Sequence, residues 1–310
     1  MNKYSIIIPV FNEEIVIHET YNRLKKVMDS TKEDYELIFI NDGSSDSTNS
    51  LIKEFCKRDN KIKFLDFSRN FGHQIAISAG LDYADGDAVV VIDADLQDPA
   101  EVILEMIKKW KEGYEVVYGK RIKRKGETLF KKITAHFFYR FLQNLTDYKI
   151  PLDTGDFRLI DKKVCAIMKT IGEKSRFMRG LTSWVGFKQI CVDYSREERF
   201  AGETKYPLRK MINFALDAIT SFSYKPLRLA SYVGFIFSGI SFIYLLRVIY
   251  LKVFTNQTIV GWTSLLAVNL FSFGILFIIL GIIGEYVGRI YEETKNRPLY
   301  IVRDKMGFKE

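Results

Sequence analysis

Along the N-terminal part of the chain, short apolar runs alternate with longer stretches of helical spacing. Tyr4–Val10, Tyr35–Asn41, Ile62–Ser68 and Ala88–Asp93 are rich in β-branched and aromatic residues, as expected of strands packed on both faces. Between them, Asn12–Met28, Ser47–Cys56, Gln74–Tyr83 and Ala100–Glu112 repeat their apolar positions at helical intervals, and a further strand is predicted near Glu115–Tyr118. Glu13 and Glu14 suit the start of the first helix, where the dipole favours acids. This alternation predicts an α/β fold with a mostly parallel sheet, whose ligand face is built from the loops that follow the strands. Those loops are Pro9–Glu13, Asp42–Asp46, Ser68–Gly72 and Asp93–Asp98.

The pattern changes in the last third. Leu229–Leu246 and Thr258–Gly284 contain no charged residue, and each reaches the roughly 18 residues that mark a spanning helix. Arg209, Lys210, Lys225 and Arg228 precede the first run and Arg289, Lys295 and Arg297 follow the second, whereas the short link holds only Lys252. That bias predicts a hairpin of spans near 229–250 and 259–285 with both termini in the cytoplasm. Residues 1–225 then form a cytosolic domain, 226–290 the transmembrane hairpin, and 291–310 a cytoplasmic tail that docks back on the domain. Two further stripes, near 127–146 and 207–224, interleave aromatic and aliphatic residues with Lys and Arg. Each also suits packing on the domain core, but the adjoining anchor and the basic residues favour helices lying in the membrane interface.

Composition narrows the class. The chain has 310 residues, 47% of them hydrophobic, enough for a substantial core, and a formal charge of +8. That excess suits an anionic membrane face, nucleic acid or phosphate-bearing ligands, and the two apolar runs decide for the membrane. Cys56, Cys165 and Cys191 are odd in number and far apart, which argues against a disulfide framework or a zinc site and suits a reducing compartment.

The chemistry concentrates in VVVIDADLQD, residues 89–98, where an apolar strand breaks into acid. Asp93 and Asp95 at the end of a central strand suit a hard divalent cation that also carries phosphate oxygens. An acidic turn or a lone calcium loop is the plainer reading of so short a motif. Asp42 is suited to a base edge or ribose hydroxyls, and equally to a turn. Ser68–Gly72 offers Arg69 and small residues near a phosphate. Neither G-x-G-x-x-G after the first strand nor a P-loop occurs. His73, at the opening of a helix, is expected to cap or pack.

Longer motifs are more selective. IIIPVFNEE, FINDGSSDST, FSRNFGHQIAISAGLDYADGD, VVVIDADLQDP, DTGDFRLID, FMRGLTSWVGF, RFAGETKYPLRKM and GEYVGRIYEETKNRPLYIV, in this order over nearly the whole chain, resemble the bacterial polyprenyl-phosphate glycosyltransferases. These are membrane-anchored relatives of dolichyl-phosphate mannose synthase within glycosyltransferase family 2. The resemblance implies a GT-A, Rossmann-like fold in a bacterial inner-membrane protein. It also implies inverting transfer of one hexose from a nucleotide sugar to undecaprenyl phosphate, with magnesium or manganese as cofactor. UDP-glucose is the first choice of donor, because the glucosyl-transferring members are the most similar; a homo-oligomer, a tetramer by family habit, is implied, and nucleic acid is not a partner.

Residue by residue, the resemblance makes Asp93, Asp95 and Gln97 the diphosphate and metal site. Pro9, Phe11, Glu13, Asp42, Arg69, Asp93 and Ala94 line the nucleotide pocket. Asp156 lies beside the anomeric carbon, and Lys120, Arg121, Lys132, Arg158 and Arg199 surround the acceptor phosphate or the leaving diphosphate. The catalytic set is Asp95, Asp156, Arg121 and Arg199. A phosphate monoester is already anionic at neutral pH, so Asp156 is expected to orient or shape charge first and act as a base second. Two other readings stand beside this one. A processive polysaccharide synthase would carry a Q-x-x-R-W motif and more spans, and a non-catalytic carrier or flippase subunit would not need an intact D-x-D.

Overall fold

The computed structural model describes residues 2–122, 154–174, 176–196, 224–254 and 261–308. The stripes near 127–146 and 207–224 (Tyr224 apart), Lys132 and Arg199 lie outside the described residues.

The chain forms two compact units, residues 1–218 with 297–310, and residues 219–296. In the first, eight strands among the described residues form one sheet in the order β7-β5-β6-β4-β1-β2-β3-β8. They are β1 (Lys3–Val10), β2 (Asp34–Asn41), β3 (Ile62–Phe67), β4 (Ala88–Val91), β5 (Val116–Arg121), β6 (Thr154–Asp161), β7 (Gln189–Tyr194) and β8 (Val302–Met306). β1, β2, β3 and β4 run parallel, as the alternation of short strands with helices predicts, and helices cover both faces. Ile6, Ile8 and Phe39 pack with α1 (Ile17–Ser30), α2 (Thr48–Arg58) and α4 (Val102–Lys111). The opposite face receives α3 (His73–Tyr83), buried over Ala76–Leu81. α3 lies so close to β1 that a Cβ on Gly80 would come within 2.3 Å of the Ile7 side chain. Beside α3, α5 (Lys162–Thr170) packs on β4 and β6 and α6 (Met178–Trp184) packs on β6.

The α/β class and the mostly parallel sheet are as expected. β6, however, runs antiparallel between β4 and β5, and β8 antiparallel beside β3. β1 has β2 on one side and β4 on the other, the switch of direction beyond whose carboxyl ends open α/β sheets bind ligands. The reversal of β6 matters equally, because it brings the start of that strand to the same edge. Val91 is paired with Arg158, so Asp93, two residues after Val91, and Asp156, two residues before Arg158, come to the same edge.

The first helix begins at Ile17, five residues later than its sequence pattern predicts. Asn12 adopts φ 56°, outside the helical range, because the loop after β1 is bonded to the loop after β2. The N–H groups of Asn12, Glu13 and Glu14 donate to Ser44 Oγ, Thr48 Oγ1 and Asp46 Oδ2, and Ser45 N–H donates to Asn12 Oδ1. These bonds outcompete a longer helix.

The second unit contains α7 (Lys225–Phe254) and α8 (Trp262–Thr294), which touch through Phe237 and Phe271, ring centroids 5.9 Å apart. Both are long and apolar enough to cross a membrane.

Candidate active site

The site forms where β4, β5, β6 and β7 end or begin at one edge of the sheet. The acidic loop after β4 is held from beneath. Thr20 Oγ1 donates to the Ala94 carbonyl at 2.8 Å, Gln97 N–H donates to Asp95 Oδ1 at 3.1 Å, and Leu96, buried, sits at φ 58°. A leucine in the left-handed region costs about 1–2 kcal/mol, which the burial of its side chain offsets. Apolar packing thus fixes the spacing of the aspartates on either side.

Asp156 is surrounded by donors. Arg179 grips it with two bonds, Nε to Oδ1 at 3.0 Å and Nη2 to Oδ2 at 3.2 Å, and Gln74 Nε2 adds a third at 3.0 Å. His73 Nε2 stands between two carboxylates, 3.6 Å from Asp156 Oδ2 and 3.4 Å from Asp93 Oδ1. Burial alone would raise the Asp156 pKa, but the Arg179 charge and the His73 contact hold it well below the usual carboxylate range. For His73, burial opposes the charged ring, yet Asp93 and Asp156 outweigh it and push its pKa up to about 9. Asp93 moves upward, first through burial and further through Asp98, Asp156 and Asp95, with His73 opposing.

A second cluster centres on Asp98, buried to 1% exposure. Its carboxylate accepts from Tyr194 Oη at 2.6 Å and Arg121 Nη2 at 3.3 Å, with Arg196 Nε 3.4 Å away. Arg196 Nη2 also stands 3.9 Å from Asp95 Oδ2. Gly155 makes room for Arg121, since a Cβ there would lie 2.5 Å from its Nη2. Aspartates and cations therefore alternate across the edge of the sheet, which suits a ligand bearing several negative oxygens.

On the other side of the switch, Pro9 is buried in β1 and Phe11 is 41% exposed. Both Asp42 oxygens accept backbone N–H groups, Phe71 at 2.6 Å and Gly72 at 2.9 Å, so this carboxylate first ties its own loop to the next. Its pKa is raised by burial, against those two bonds. The exposed Arg69 guanidinium lies 4.0 Å over the Phe71 ring. Gln97 follows Asp95 in the acidic turn, and Lys120 is exposed on β5.

Two expectations change. Arg158 is 4% exposed, and its guanidinium donates to the Gly155, Asp156 and Met178 carbonyls and to Thr182 Oγ1. Its donors are directed inward, so the acceptor-phosphate contact is not retained for it; burial lowers its pKa to about 10. His73 is neither cap nor packing residue but the link between Asp93 and Asp156. Gln74, Asp98, Arg179, Tyr194 and Arg196 are site residues that the sequence left without a role.

A divalent cation fits this edge. The Asp93 Oδ1 atom is buried and accepts no hydrogen bond, and Asp93 and Asp95 are hard oxygen donors. Among the described residues, no three His, Cys, Asp or Glu side chains group closely enough to enclose a metal.

Residues 5–167 match the family described as Glycosyl transferase family 2. The chain belongs to this family, and the protein is a glycosyltransferase. It is 63% identical over 98% of its length to the uncharacterized glycosyltransferase YkcC of Bacillus subtilis, covering 94% of that protein. To the prophage bactoprenol glucosyl transferase homolog of Escherichia coli it is 42% identical, over 97% of this chain and 98% of the relative. Among solved structures, glucosyl-3-phosphoglycerate synthase of Mycobacterium tuberculosis, in complex with Mn2+, UDP-glucose and phosphoglyceric acid, aligns with a TM-score of 0.46 at 17% identity. That alignment covers 71% of this chain and 78% of the other.

Proposed function

We propose that the protein transfers one glucosyl unit from UDP-glucose to a polyprenyl phosphate at the cytoplasmic membrane face, with inversion. The observation that carries this reading is the Asp93–Asp95 loop at the switch point, in a chain similar over nearly its whole length to a bactoprenol glucosyl transferase homolog. The helices α7 and α8 support a lipid acceptor, because they are suited to anchor the enzyme in the membrane.

In this reading the uridine lies over the loops after β1 and β2, near Phe11, Glu13 and Asp42, with Arg69 close by. Asp93 and Asp95, with Gln97, would hold a divalent cation, which would supply positive charge beside the diphosphate leaving group. Asp156 stands beside the sugar. An oxygen of the lipid phosphate bonds to the anomeric carbon as the bond to the UDP oxygen breaks, and UDP leaves with that electron pair. No proton needs to move, since the attacking oxygen is already anionic. Asp156, held ionised by Arg179, is a weak base, so its part is to fix charge and orientation. Arg121 and Lys120, with Lys132 and Arg199 from outside the described residues, offset the charge of acceptor and leaving group.

The test is to incubate purified full-length protein and undecaprenyl phosphate with a panel of labelled nucleotide sugars. Label from UDP-glucose in the organic-extractable lipid supports the proposal. Label that arises only from another sugar corrects the donor, and none from any donor overturns the reading.

A further inference from the structure

The C-terminal segment from Tyr300 through β8 reaches the loops at the nucleotide end of the sheet by two chains of contact. In the first, Arg303 of β8 donates through Nε and Nη2 to Asp66 Oδ2, at 2.8 and 2.6 Å. Asp66 is 1% exposed, and its other oxygen accepts from Asn41 Nδ2 at 2.8 Å. Asn41 Oδ1 in turn accepts the N–H of Ser44, whose Oγ accepts the N–H of Asn12. In the second, the Tyr300 ring stacks on Phe67 at 5.2 Å, and Phe67 meets Phe71 edge-on at 5.6 Å. Phe71 is the residue whose N–H holds Asp42.

A buried carboxylate between two donors, one from the last strand and one from the end of β2, is more than an edge strand needs for pairing. Without Arg303, Asp66 keeps its burial but loses its cation, and the Asn41 amide that shapes the 41–44 turn loses a fixed partner. We infer that Arg303 is a positioning residue for the donor-side loops. The strand that follows the second apolar helix thereby sets the affinity for the nucleotide. This inference rests on the proposal that the nucleotide lies over the loops after β1 and β2.

Two readouts on full-length protein in detergent test it. In Arg303→Met, amide exchange is expected to rise in residues 42–48 and 68–72 while β1 and β4 stay protected. The KM for UDP-glucose is expected to rise about fivefold or more with kcat nearly unchanged. Arg303→Lys is expected to recover part of both effects. Tyr300→Leu tests the second chain of contacts, and serves if Arg303→Met fails to fold. Unchanged exchange in both loops overturns the inference whatever the donor is. Looser loops with an unchanged KM overturn it too, as does a uniform loss of kcat, the mark of a merely structural role. If the wild type transfers no sugar, the proposed function fails, while the exchange measurement still decides the clamp.

Discussion

Replacing Arg179 with methionine removes the guanidinium that grips Asp156 but keeps much of its apolar stem. The pair is enclosed, with side-chain exposures of 23% and 6%. Breaking a buried pair from one side costs about 3–5 kcal/mol, because the other charge is left without its counter-ion. Here Gln74 and His73 remain on the carboxylate, so a loss of about 2–3 kcal/mol is expected. For a unit of this size that is a fall of roughly 5–10 °C in melting temperature. The pH dependence has a definite sign. In the wild type the carboxyl pKa is depressed, so its contribution is complete above the unfolded value and lost as pH falls through the folded one. In the variant the pKa rises. The gap in melting temperature is therefore widest near neutral pH and narrows as acid protonates the stranded carboxyl. Thermal unfolding in detergent at about pH 7.5 and about pH 5 measures both effects. Equal melting of variant and wild type at the higher pH would refute the assignment of Arg179 as the group that keeps Asp156 charged. Transfer is expected to fall with the grip, and Arg179→Lys, which keeps the charge but not the fork, to fall less.

Chelation, or Asp93→Ala with Asp95→Ala, is expected to cut transfer at least about a hundredfold, with magnesium or manganese restoring only the chelated wild type; normal rates in chelator would remove the metal from the mechanism. Gly155→Ala pushes the end of Arg121 away from Asp98 and is expected to lower transfer and to cost about 1–3 kcal/mol of stability, because the buried Asp98 loses part of its pair but keeps Tyr194 and Arg196. Unaltered kinetics would show that Arg121 has no part in the reaction. Tyr194→Phe removes the 2.6 Å bond to Asp98 and is expected to lower the melting temperature by roughly 3–6 °C, a loss of about 1–2 kcal/mol. No shift there would mean that Arg121 and Arg196 satisfy Asp98 without help.

The strands that build the parallel centre were legible because helices cover both faces and the sequences are therefore mainly apolar, with Ser5, Glu36 and Asp66 as buried exceptions. The acidic loop was legible for the complementary reason, that carboxylates directly after such a strand have no packing role. The direction of β6 was not. TGDFRLID alternates charge with apolar residues, and its reversal depends on pairing with Val91, a contact that leaves no local mark. The partners of Asp156 were hidden in the same way. His73 stands where a helix cap is expected, and Arg179 is 23 residues from the carboxylate it holds. Arg158 misled because an arginine near an acidic site suggests phosphate, whereas the carbonyls around it face inward. The late start of α1 follows from bonds between two loops that only the fold brings together.

The place of β8 bears on how the protein is made. β3 is complete at Phe67, but the strand that covers its outer edge begins at Val302, after both apolar helices. While the ribosome works through the intervening chain, the newborn sheet presents a row of unpaired amides and carbonyls, the kind of margin that recruits other strands. A stop codon placed just after the second apolar helix would leave that margin bare for good, and such a product is expected to precipitate or be degraded although every residue of the acidic loop is present.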